Sequence, residues 1–136
     1  MLAYIGDAVF ELYARLAALQ ATVRLQQAGR TPDAPPIRAR ALDRLARERT
    51  RTGGQARILA ELWSQLDEQE REVVRRARNA RLRRRPAGLA PQEYRASTAL
   101  EALVGFLYLA GRTARIHELL GRMAPAQAGE AERSPP

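Results

Sequence analysis

The chain contains no cysteine, which excludes disulfides and thiolate metal sites. It contains no lysine, so its positive charge is carried by arginine alone. A single histidine, His117, argues against a zinc centre built on imidazole ligands. The longest apolar run, Ala102 to Ala110, is too short to span a bilayer. No secretory pattern opens the chain, because Asp7 and Glu11 interrupt its first apolar stretch. β-Branched residues are sparse and no segment alternates with period two, so a β-sheet protein is excluded. No repeat occurs at solenoid spacing. These absences leave an all-α protein, expected in the cytoplasm and not in a membrane.

What is present fits one globular domain. At 136 residues, 46% hydrophobic and 28% charged, the chain is long enough for one modest core. Residues 1–123 form the expected domain. Residues 124–136 hold Ala, Pro, Gly and charge without an apolar period, the composition of a disordered tail. The net charge of +8 calls for an anionic partner, nucleic acid first and a membrane surface second. The arginine clusters lack the bulky apolar face that insertion needs, which ranks the membrane last.

Periodicity predicts about six helices. Leu2, Ile5, Val9, Leu12, Leu16, Leu19 and Val23 recur at three- and four-residue steps, predicting a helix to about Gln27 with that stripe inward. Gly29 to Pro36 is a break. A basic helix then runs from Ile37 to about Arg51, with Leu42 and Leu45 inside and Thr52-Gly53-Gly54 as its stop. Gln55 to Leu66 forms a third helix, with Ile58, Leu59, Leu62, Trp63 and Leu66 inward. Asp67 and Glu70 have the spacing of a capping box opening a fourth, which runs to about Leu82. Pro91 suits the first turn of the fifth, and Gly111 its C-cap. The last spans Thr113 to Met123, with Ile116, Leu119 and Leu120 on one face. Tyr4, Tyr13, Tyr94 and Tyr108 read as packing residues. The first and fifth helices, the most apolar, are the expected central pair.

Two acids stand out against those helices. Asp7 lies in LAYIGDAVFELY and Glu101 in STALEALVGFLYLA. Burying either carboxylate costs several kcal/mol unless an arginine, a proton or a metal neutralises it. Each acid has a glycine nearby, Gly6 and Gly105, and a glycine within a helix often marks the close approach of another backbone. Glu11 shares a face with Asp7, and Thr98 lies one turn before Glu101. Tyr94 and Arg95 are further candidates near the site. An ordinary ladder, with Glu11 paired to Arg15 and Asp7 solvated, is the competing reading. Taken together, the two carboxylates suit a hard cation, Mg²⁺ or Mn²⁺, which takes oxygen ligands and keeps several waters.

The arginines form two groups. Arg38, Arg40, Arg44, Arg47, Arg49 and Arg51 flank the second helix. Arg71, Arg75, Arg76, Arg78, Arg81, Arg83, Arg84 and Arg85 crowd the fourth helix and its following loop around Asn79, with Glu72 as a nearby acid. The second group is the denser and is the expected phosphate-binding region. It lacks interleaved aromatics, which favours backbone recognition of a duplex over base stacking. Ser97 and Thr98 have no base beside them, so a serine hydrolase is excluded.

LAYIGDAVFELY resembles the first signature of the ribonuclease III family, and TALEALVGFLYL resembles the second. VVRRARNAR followed by YRASTALEALVGFLYL is most similar to the Mini-ribonuclease III subfamily, which has the catalytic domain without a double-stranded RNA-binding domain. The resemblance covers residues 1–123. It implies a dimeric, all-helical bacterial endonuclease that cleaves double-stranded RNA with Mg²⁺ and matures the 23S ribosomal RNA precursor. By the same resemblance, Asp7 and Glu101 are the catalytic metal ligands. Arg75, Arg76, Arg78, Asn79, Arg81, Arg83, Arg84 and Arg85 match the segment that contacts RNA. Two departures accompany it. Ala3 stands where full-length ribonuclease III has a glutamate, and Thr98 where it has an aspartate. A non-catalytic basic helical protein that binds RNA or the ribosome is the alternative.

Overall fold

The computed structural model describes residues 1–29, 38–80 and 87–121, and among these the secondary structure is entirely helical. In chain order the helices are α1 (Leu2–Ala28), α2 (Ala39–Thr50), α3 (Thr52–Leu62), α4 (Glu68–Asn79), α5 (Pro91–Leu109) and α6 (Thr113–Leu120). A short 3₁₀ turn, Trp63–Gln65, follows α3. No described helix is long and apolar enough to cross a membrane.

Helix α5 is the axis of the fold. It packs against α1, α3, α4 and α6, while α2 lies on α1 and touches α3. Leu100, Leu103, Val104 and Leu107 of α5 are buried with Phe10 and Tyr13 of α1, Leu59 and Leu62 of α3, Val74 of α4, and Ile116, Leu119 and Leu120 of α6. The predicted central pairing of the first and fifth helices therefore holds, as does the inward face of the last.

The expected inward stripe of α1 does not hold along its length. Leu12, Leu16, Leu19 and Val23 are 55%, 42%, 43% and 38% exposed, whereas Phe10, Ala14, Ala18 and Ala21 are buried. Small side chains face the neighbouring helices because they let the backbones come close, and the leucines are displaced to the opposite face. Tyr4 and Tyr108, read as packing residues, are also exposed; Tyr13 is buried and meets His117 edge-on at 5.1 Å.

Element ends follow local chemistry. The capping box is formed: Asp67 Oδ1 accepts the Glu70 N–H at 2.8 Å, and Glu70 Oε2 accepts the Asp67 N–H at 2.9 Å. Gly111, at φ +72°, ends α5 in a Schellman turn, with its own N–H on the Tyr108 carbonyl and that of Arg112 on the Leu107 carbonyl. Thr52-Gly53-Gly54 is not a stop but the first turn of α3. The single extended residue Arg51, at ψ 146°, separates α2 from α3. Helix α4 ends at Asn79, and Leu82 and the expected tail lie outside the described residues.

Candidate active site

Two glycines bring the acids together. A Cβ on Gly6 would stand 1.6 Å from the Glu101 carbonyl oxygen, and one on Gly105 would stand 2.0 Å from that of Leu2. Neither position tolerates a side chain, so α1 and α5 cross with their backbones in contact. Asp7 and Glu101 flank that crossing.

Their environments differ. Glu101 is half-buried, and its carboxyl is pushed up to about 7, first by burial and then by the negative charge of Asp7. Asp7 itself is exposed, contrary to the expectation of two buried acids. It emerges at the start of α1, where the helix leaves the core. The electrostatic coupling between the pair is the physical sign that the carboxylates share one locality.

Gln55, which sequence reasoning did not single out, completes the arrangement. It is 2% exposed, in the first part of α3, and its side chain hydrogen-bonds Glu101, opposing the upward shift of that carboxyl. Ser97 Oγ donates to Gln55 Oε1. The amide oxygen is thereby occupied, which leaves the NH₂ group to face the carboxylate. The available signal was its spacing: Gln55, Leu59, Leu62 and Leu66 fall on one inward face, where an amide needs a buried partner.

The other candidates distribute around this pair. Thr98 and Tyr94 are half-buried on α5, and Arg95 is exposed. Glu11 is engaged elsewhere, in an exposed ion pair with Arg15 at 2.6 Å. In the fourth-helix cluster, Arg75 pairs with Glu68 at 2.9 Å and Glu72 at 3.4 Å, and Arg76 with Glu72 at 2.9 Å. The acids paired with Arg75 and Arg76 are thus two, Glu68 and Glu72. Arg71 and Arg78 lie over the Trp63 ring at 5.4 and 5.8 Å. Asn79 is exposed at the end of α4, while Arg81, Arg83, Arg84 and Arg85 lie outside the described residues.

Among the described residues the most deeply buried acid is Glu70, not either member of the pair. It is 0% exposed and holds Arg115 through both oxygens, at 2.8 and 2.9 Å. Burial pushes its carboxyl up, but the bonds from Arg115 and the Asp67 N–H prevail and hold it below the ordinary glutamate range. Its role is to tie α4 to α6.

Among the described residues no group of three or more His, Cys, Asp or Glu side chains is placed to hold a metal. A two-carboxylate pair fits a hard divalent cation that fills its remaining positions with water and substrate oxygens. The mutual repulsion raising Glu101 is what such an ion would relieve.

The chain belongs to the ribonuclease III family: residues 1–112 match the Ribonuclease III domain. Its similarity within that family is to proteins named Mini-ribonuclease 3. The protein of that name from Symbiobacterium thermophilum is 43% identical, over 88% of this chain and 82% of its own length. The Synechocystis protein is 41% identical, over 88% of this chain and 72% of its own. The solved structure of protein FN1578 from Fusobacterium nucleatum superposes with a TM-score of 0.68 at 25% identity, covering 88% of this chain and 85% of that one.

Proposed function

We propose that this chain is an endoribonuclease that hydrolyses double-stranded RNA with the help of Mg²⁺ held by Asp7 and Glu101. The observation that carries this reading is the meeting of those two carboxylates at the Gly6–Gly105 crossing, in a chain of the ribonuclease III family. When bound, the ion would lower the pKa of water and stabilise charge on the phosphodiester oxygens. The protein supplies the geometry. Asp7 offers a solvent-facing carboxyl group. Glu101 is held from the core side by Gln55, which is itself anchored by Ser97. A cation held there would favour the charged form of Glu101, which burial and Asp7 disfavour.

The arginine excess supports the substrate class, since it suits the phosphate backbone of an RNA duplex. Maturation of the 23S ribosomal RNA precursor is the specific reaction proposed, on the strength of the similarity to Mini-ribonuclease 3. The exposed leucine face of α1 supports a homodimer, in which each subunit cuts one strand.

The test is a gel of duplex RNA incubated with the protein in Mg²⁺ or in chelator. Cleavage is expected only with the metal. Asp7→Asn is expected to abolish products while RNA is still retained. Cleavage by that variant at the wild-type rate would remove the assignment, and retention without cleavage by the wild type would leave an RNA-binding protein.

A further inference from the structure

The fourth-helix cluster is the denser in sequence, yet Arg75 and Arg76 spend their charge on Glu68 and Glu72. Helix α2 is different. Arg40, Arg44, Arg47 and Arg51 recur at steps of four, three and four residues, which places them on one face. They line a single open cleft with one acid, Asp43. All four are exposed, and none is ion-paired to another described side chain. The opposite face of the helix carries buried Ala46 and half-buried Leu42, so packing fixes which way the arginines point.

The row also leads somewhere. From Arg40 to Arg51 it extends about 16 Å at the α-helical rise. At its end the Arg51 carbonyl accepts the Gln55 N–H at 2.9 Å, and the Gln55 side chain touches Glu101. The basic track therefore ends one helical turn before Gln55, the residue whose side chain holds Glu101. Like charges held in a row repel one another until a polyanion relieves them.

We infer that the α2 arginine row is a phosphate-binding track that holds the backbone of the duplex RNA and delivers it to the Asp7–Glu101 pair. The inference rests on the proposed RNA substrate, but the track binds phosphates and needs no metal. It would act on affinity and placement rather than on chemistry, and would be indifferent to base sequence.

The experiment measures binding of a labelled RNA duplex in chelator across a salt series. Full-length wild type is compared with Arg40→Gln/Arg44→Gln, Arg44→Gln/Arg47→Gln and Arg75→Gln/Arg76→Gln, with circular dichroism as the check on folding. Arg51 is left intact because it joins two helices. Each α2 pair is expected to weaken binding at least tenfold at low salt and to flatten the salt slope by about two, roughly one for each phosphate no longer neutralised. In Mg²⁺ the same variants should raise KM with little change in kcat. An α2 pair that keeps the wild-type affinity and slope, whatever the Arg75/Arg76 variant does, overturns the inference. Failure of the nuclease reading is seen separately, as a wild type that binds the duplex in chelator but makes no products in Mg²⁺.

Discussion

Glu101 ionises near neutrality, and this has a consequence for stability as well as for metal binding. An unfolded chain releases that proton at the ordinary glutamate value of 4.5, whereas the folded chain keeps it up to about 7. Between those values the folded state binds more protons, so raising the pH through this window destabilises the metal-free protein. Asp7→Asn removes the second cause of the shift. In chelator at about pH 8 the variant is expected to be more stable than wild type by on the order of 1 kcal/mol, after allowance for solvent screening. The difference should shrink towards pH 4.5, as denaturant titration at several pH values would show. A gap that is absent, or independent of pH, contradicts the coupling. Mn²⁺ affinity by calorimetry should rise with pH through about 7 and then level, because binding must displace the proton. Both acids were legible in the sequence because a glycine stands near each in an apolar helix. Gln55 was legible only through its spacing with Leu59, Leu62 and Leu66, because an amide in a helix carries no charge or apolar period of its own. The exposure of Asp7 depends on where α1 leaves the core, which periodicity does not specify.

Helix α4 illustrates the difference between local and distant information. Its cap was readable from Asp67 and Glu70 because the bonds span three residues. The partners of Glu70 on the other side were not, since Arg112 and Arg115 lie 42 and 45 residues away. Nothing in the sequence favours them over the other arginines. Glu70 thus serves two helices, as the second half of the α4 capping box and as the anion that holds the first turn of α6. Glu70→Ala is expected to cost roughly 3–5 kcal/mol, because it leaves the Arg115 guanidinium largely buried without its carboxylate and opens the cap. Glu70→Gln, which can still accept the Asp67 N–H, should lose less. Urea unfolding of the two variants checks the order, and equal losses would separate the cap from the ion pair. The α2–α3 junction shows the converse error. A Gly-Gly pair reads as a turn, yet the chain turns at Arg51 and the glycines enter the next helix. A glycine raises the cost of helix without forbidding it, and packing of α3 on α5 outweighs that cost.

At the scale of the molecule, the largest departure from the sequence reading is also informative. Counting only large apolar residues set the inward stripe of α1 on Leu12, Leu16, Leu19 and Val23. The fold instead turns the alanines inward, because a crossing close enough for Gly6 to touch Glu101 leaves no room for leucines in line with it. Four large apolar side chains at steps of four, three and four residues are left on one exposed face, which is the pattern of a helix awaiting a partner. A second copy of the chain would present the same face, and a two-fold axis along it closes the assembly without leaving an edge. The protein is therefore expected to be a dimer in light scattering at micromolar concentration, and Leu16→Glu/Leu19→Glu a monomer of unchanged helicity. Asp7 and the leucines share α1 but lie in different parts of it, so the monomer should keep its Mn²⁺ affinity. A single site reaches one strand at a time, so the monomer should nick a duplex where the dimer cuts both strands. Wild type that is monomeric, or a charged variant that still cuts both strands in one encounter, would show that the leucine face has some other partner.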